Sequence, residues 1–141
     1  YYKKGITMGE RACIKITPWS EDEFESFYFY THWRGADLEA LVAAGIEEAR
    51  KYGRLSDDAY AARIILNVLQ EGGDPVAGFG IMLEPPGDLN YPMVEVRWIH
   101  QAGQGSFPEV RVEKFTDSGD WSGWANAACW AEVTLAKYAD A

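Results

Sequence analysis

Two helical patterns follow one another directly, with strand patterns on both sides of them. That order restricts the fold of this chain more than any other feature. Leu38, Leu41, Val42, Gly45, Ile46 and Ala49 recur at i, i+3, i+4, i+7, i+8 and i+11. This spacing places them on one face of a helix over about residues 37–51, with Asp37 expected as its N-cap and Gly53 as its stop. Ser56 is expected to cap a second helix. Asp57 and Asp58 in its first turn suit the positive end of the helix dipole, and Ala61, Ile64, Ile65, Val68 and Leu69 form its apolar stripe.

On either side the period changes to two. Residues 11–17, RACIKIT, set Ala12, Ile14 and Ile16 against Cys13, Lys15 and Thr17. Residues 27–34 place Phe27, Phe29, Thr31 and Trp33 on one face, the natural core face. Tyr28, Tyr30, His32 and Arg34 take the other. After the helices, VAGFGIML, MVEVRWIHQ and EVRVEKFT read as strands, separated by the turn EPPGDLNYP and the loop AGQGSFP. The tail from about residue 124 is Ala-rich and expected to be helical. The order β-β-α-α-β-β-β plus a terminal element predicts an α+β fold. An antiparallel sheet of about four to six strands would carry a two-helix hairpin inserted between its second and third strands.

The 141 residues suit one domain, and no repeat, low-complexity segment or linker divides them. The chain opens Tyr1-Tyr2-Lys3-Lys4 and reaches its first methionine at Met8, so residues 1–9 are expected to be irregular, with a native start at Met8 or a truncated reading frame as explanations. Its formal net charge of −9 repels a nucleic-acid backbone, which disfavours DNA and RNA as partners. No stretch approaches the length of a membrane span, and no signal-peptide pattern is present. Cys13 and Cys129 lie far apart without a CxxC motif, so a disulfide framework or metal site is not expected; two reduced, packed thiols suit a cytoplasmic protein. Aromatic residues make up 14% of the chain. They serve either a Trp-rich core or a ligand site or subunit interface, where such rings are enriched.

No phosphate-binding Gly loop, HExxH or Gly-x-Ser-x-Gly motif occurs. His32 and His100 are the only histidines and lack the Thr or Ser two residues on that a paired-histidine phosphodiesterase uses. No catalytic group or cofactor is therefore expected, and binding is what the remaining residues suit. The candidate cations are Arg34, Arg63, Arg97, Arg111 and Lys114. Arg97 and Arg111 share their strand faces with Glu95 and Glu113. They form either cross-strand ion pairs or a phosphate clamp, since arginine offers a planar fork. Arg63, beside the apolar stripe of its helix, either snorkels or reaches a buried anion. Asn90 and Tyr91 serve either turn chemistry or recognition of a base or ribose.

A strand ending in HWRG, then YAARII, GFGI and GDLNY, together resemble a family of small phage proteins, the anti-Thoeris sponges (Thoeris anti-defence protein one), over roughly residues 12–115. Members show His-x-x-Gly after the second strand, Ala-Arg-Ile on the second helix, a Gly-aromatic-Gly-Ile strand and an Asp-x-x-Tyr turn. The resemblance implies a non-enzymatic protein that sequesters a cyclic ADP-ribose isomer made by bacterial TIR enzymes, in the cytoplasm of the infected host. It also implies dimers that assemble further into hexamers, with nucleotide pockets at subunit interfaces, and in some members a separate pocket for cyclic oligonucleotides. Carried over, Phe79 becomes a stacking residue, Asp88 and Asn90 ribose or base contacts, and Arg111 and Lys114 phosphate contacts, while Arg63 matches the Ala-Arg-Ile segment. The family favours a second arginine where this chain has Lys114, a point charge without the fork. Tyr28, Tyr30, His32, Trp33 and Arg34 then form an interface or a secondary pocket. Two other readings stand beside this one: an acidic inhibitor that blocks a host defence protein directly, and a phosphodiesterase using His32 and His100.

Overall fold

The computed structural model describes residues 9–19, 25–101, 105–114 and 120–139. Most of the irregular start, the first part of the loop AGQGSFP and the end of the expected strand EVRVEKFT fall outside those residues. The elements in order are β1 (Ala12–Thr17), β2 (Phe27–Thr31), a 3-10 turn (Gly35–Asp37), α1 (Leu38–Lys51), α2 (Asp58–Gln70), β3 (Phe79–Met82), β4 (Val94–Gln101), β5 (Gly105–Val112), β6 (Ala125–Asn126) and α3 (Ala127–Ala139). The fold is α+β, and the α1–α2 hairpin lies between β2 and β3, as the order of patterns predicts.

The six strands form one sheet in the order β3-β2-β1-β4-β5-β6. Antiparallel pairing holds except between β1 and β4, which run parallel with Ile14 opposite Val94 and Ile16 opposite Val96. The sheet is therefore mixed. β3 and β4 point the same way on opposite sides of the β1–β2 pair, so residues 83–93 must travel back across the sheet before β4 starts. Parallel neighbours need such a long return.

One face of the sheet packs beneath the helices. Ala12, Ile14, Ile16, Phe29, Val94, Val96, Trp98 and Val110 meet Leu38, Val42, Ile46, Ala61, Ile65 and Leu69 in one buried cluster. The Trp98 indole N–H donates to the Leu55 carbonyl at 2.8 Å, so the largest core side chain leaves no polar atom unpaired. α1 is the central helix, flanked by α2 and α3.

Several boundaries differ from the sequence reading. Asp57, not Ser56, caps α2: its backbone is extended and its side chain accepts from the Tyr60 amide. Asp37 makes no side-chain cap for α1. β5 begins at Gly105, so Ser106, Phe107 and Pro108 belong to the strand rather than the loop. Pro108 is tolerated because β6 pairs only with Glu109 and Val110, which leaves the proline on an unpaired edge. β2 ends at Thr31, and Trp33 is not a core residue: it is 52% exposed. The tail is helical, as expected, but only after the short β6.

Candidate functional site

Three segments far apart in sequence meet at the β2–β3 end of the sheet. The first is the turn after β2, residues 32–35. The His32 amide donates to the Gly78 carbonyl at 2.9 Å, and the His32 carbonyl accepts from the Glu10 amide at 2.7 Å. The second is the start of β3. Gly78 has φ +88°, and a Cβ there would run into the Trp33 ring. Glycine is thus needed both for the backbone and for the indole lying over it. The third is the loop 88–91. Tyr91 packs so closely on Gly35 that a Cβ at Gly35 would enter its ring.

Within this corner the Arg34 guanidinium lies over the Phe79 ring, 5.5 Å from its centroid. Phe79 in turn stacks on Phe29 at 5.9 Å and 22°. Phe79 thus carries both a cation–π contact and a stacked ring. Among the described residues, Arg34 and Arg63 form no ion pair, so their donors are not committed to a carboxylate. Arg63 is exposed on α2, lies 5.9 Å from the Tyr60 ring, and borders a groove of about 400 Å³ against Phe27, Phe29 and Ile81. A second groove of about 510 Å³ is bordered by Phe79 and shares Phe29, Gln70 and Ile81 with the first. Both volumes suit a small ligand.

The other expected ligand residues lie elsewhere or are already engaged. Asn90 Oδ1 accepts from the Arg11 amide at 3.1 Å, and the Asn90 amide donates to the Arg11 carbonyl at 2.8 Å. Asp88 pairs with Arg11 at 3.3 Å, and its backbone carbonyl accepts from Arg11 Nε at 2.8 Å. These residues serve turn chemistry in the free chain.

Arg97 and Arg111 come together on the sheet face opposite the helices, but each faces a glutamate. Arg111 Nε donates to Glu95 Oε1 at 2.8 Å, and Arg97 reaches Glu109 Oε1 at 2.8 and 3.1 Å. Lys15 adds a third cation 3.8 Å from Glu95 Oε2, the same oxygen that accepts from the Thr17 hydroxyl. Trp124 stacks on both guanidiniums, at 3.6 Å from Arg97 and 4.5 Å from Arg111, and Trp121 covers Arg111 at 4.2 Å. An incoming phosphate would compete with Glu95 and Glu109 for the arginine forks. Lys114 is exposed just beyond β5.

The outward row of β2 divides. Tyr28 and Tyr30 stay on the outer face, with Lys15 Nζ 5.9 Å from the Tyr28 ring. The Tyr30 hydroxyl pairs with His32 Nδ1 at 2.8 Å, while Arg34 leaves the row for Phe79. Burial, and then the negative charge of Asp88, raise the Tyr30 pKa against the opposing pull of Arg11, so the phenol stays protonated. His32 and His100 sit at opposite ends of the sheet. Val94 to His100 alone spans about 20 Å at 3.3 Å per residue, and His32 lies beyond the Val94 end. The two imidazoles therefore cannot share one phosphate within a chain.

Sequence reasoning passed over Glu10 and Arg11, the residues that tie the corner together. Both read as ordinary charges at the edge of a strand. No helix among the described residues is long and apolar enough to cross a membrane. No protein-family model, curated protein or solved structure matches the chain.

Proposed function

We propose that this protein binds and withholds a cyclic nucleotide signal without chemically altering it. The ligand class is a glycocyclic ADP-ribose isomer of the kind made by bacterial TIR enzymes, and the setting is the cytoplasm of a bacterium under phage infection. The observation that carries the reading is the meeting of HWRG, GFG and DLNY at one corner, with Arg34 over Phe79. These are three of the four segments in which the chain resembles the anti-Thoeris sponges, and the fourth, YAARII, borders the adjoining groove through Arg63. Phe79 stacks the adenine in this reading, and Arg34 and Arg63 meet the pyrophosphate. A homo-oligomer, with a second pocket for a cyclic oligonucleotide, belongs to the same reading.

Nanomolar affinity needs about −12 kcal/mol. Two or three charge-assisted hydrogen bonds at about 1.5–3 kcal/mol each and a stacking contact near 1 kcal/mol supply roughly a third to four-fifths of it. The remainder must come from apolar burial and from a site formed before the ligand arrives. Calorimetry against cyclic ADP-ribose isomers and cyclic di- and trinucleotides tests the reading, followed by heat release of the ligand. Tight binding with recovery of intact ligand supports it, while recovery of a modified product would make the protein an enzyme.

One observation favours a second reading, direct inhibition of a host protein. The edge strand β3 exposes Ile81, and Val76 and Leu83 beside it are nearly bare. Stoichiometric capture of one host protein, with flat calorimetry for every cyclic nucleotide, would select it.

A further inference from the structure

We propose that Glu10 and Arg11 are positioning residues for the ligand corner, holding its two loops at a fixed separation. This inference rests on the sponge reading. Glu10 holds the 32–36 turn at three points. Its amide donates to the His32 carbonyl at 2.7 Å, its carbonyl accepts from the Gly35 amide at 3.0 Å, and its carboxylate accepts from the Ala36 amide at 3.1 Å. The last contact is a helix cap supplied from outside the helix. Ala36 lies in the 3-10 turn that leads into α1, and Asp37, the local capping residue, makes no side-chain cap. Arg34 immediately precedes that turn, so the cap fixes the backbone from which Arg34 reaches Phe79.

Arg11, the next residue, holds the 88–91 loop. Its backbone exchanges hydrogen bonds with Asn90, and its guanidinium takes the Asp88 carbonyl and carboxylate. A single peptide bond therefore sets the distance between the Arg34 turn and the Asn90 loop. The backbone contacts are indifferent to side-chain identity. On the Glu10–Arg11 side, only the Glu10 carboxylate and the Arg11 guanidinium are side-chain contacts, and these are what substitution at the two positions removes.

The test uses the full chain carrying Glu10→Ala, Glu10→Gln or Arg11→Ala. Calorimetry with the cyclic ADP-ribose isomer panel is combined with NMR amide exchange at Ala36 and Asn90. Glu10→Ala is expected to weaken binding roughly threefold to tenfold, the net worth of one hydrogen bond, and to speed exchange at Ala36. Glu10→Gln, which keeps an Oε1 acceptor, restores both. Arg11→Ala weakens binding to a similar degree and speeds exchange at Asn90. Faster exchange in the alanine variants with affinity within twofold of wild type would show the contacts to be structural only and overturn the inference. A wild type that binds no isomer overturns the functional reading and this role with it, whereas wild type and both alanine variants binding equally well removes this role alone.

Discussion

Replacing Glu95 by alanine tests whether the Arg–Glu–Trp ladder is built for stability or kept open for a ligand. The Glu95 side chain is 5% exposed, while its partners Arg111 and Lys15 are 26% and 24% exposed. Removing one member of a fully buried pair costs about 3–5 kcal/mol, because the remaining charge stays desolvated. Here water reaches the two cations, so about 2–3 kcal/mol is expected. Unfolding entropy near 2.1 cal/mol/K per residue amounts to roughly 0.3 kcal/mol/K for a chain of this length, so Tm should fall by about 7–10 °C. The assay is thermal unfolding of Glu95→Ala, Arg111→Ala and the double variant. Arg111→Ala also loses its stacking on Trp121 and Trp124, and the cycle separates that loss from the ion pair. A coupling energy near zero would refute the structural role and leave Arg111 available as a phosphate contact.

Three further expectations concern the fold. Gly45→Ala in α1 should destabilise, against the usual gain of about 1 kcal/mol, because the new Cβ lies 2.8 Å from the Ile65 Cα and overpacking costs about 1–3 kcal/mol; a higher Tm would contradict the helix contact. Thr31→Val should be neutral or stabilising in denaturant titration, since Thr31 Oγ1 is buried with no partner among the described residues and the valine is close in shape. Burial pushes the Cys13 thiol from about 9 up to about 12, so its contribution is intact below pH 9 and declines as pH rises from 9 towards 12, when the unfolded thiol ionises and the folded one does not. Urea titrations at pH 8 and 10.5 should show that loss, and a thiol reagent at pH 8 should modify exposed Cys129 alone until the chain unfolds.

What was legible in the sequence follows from how local each signal is. The stripes of α1 and α2 are local, and Val42, Ile46, Ile65 and Leu69 are buried as their spacing predicts. Cross-strand ion pairs of Arg97 and Arg111 follow from alternation once β4 and β5 are taken as neighbours, but the second carboxylate is Glu109, which the register sets opposite Arg97, rather than Glu113. The parallel β1–β4 pairing has no local signal, because strand direction depends on where residues 83–93 run. Trp33 continues the period-two pattern of β2 but leaves it for the bare surface at Gly78, a contact made across 45 residues. The α1 cap shows the same limit. Asp37 has the right chemistry in the right place but makes no side-chain cap, and Glu10, distant in sequence, caps the preceding 3-10 turn at Ala36. The candidate corner was visible only as separate motifs, and the chain's packing brings three of them together.

The most direct measurement is calorimetry of the intact protein against cyclic ADP-ribose isomers and cyclic oligonucleotides, with light scattering in the same buffer and Phe79→Ala and Arg34→Ala alongside. The account predicts submicromolar binding of one ADP-ribose isomer by an oligomer, intact ligand on heating, and at least tenfold weaker binding by either variant, a loss of about 1.4 kcal/mol or more. Flat titrations for the whole panel, or binding that both variants retain unchanged, would contradict it.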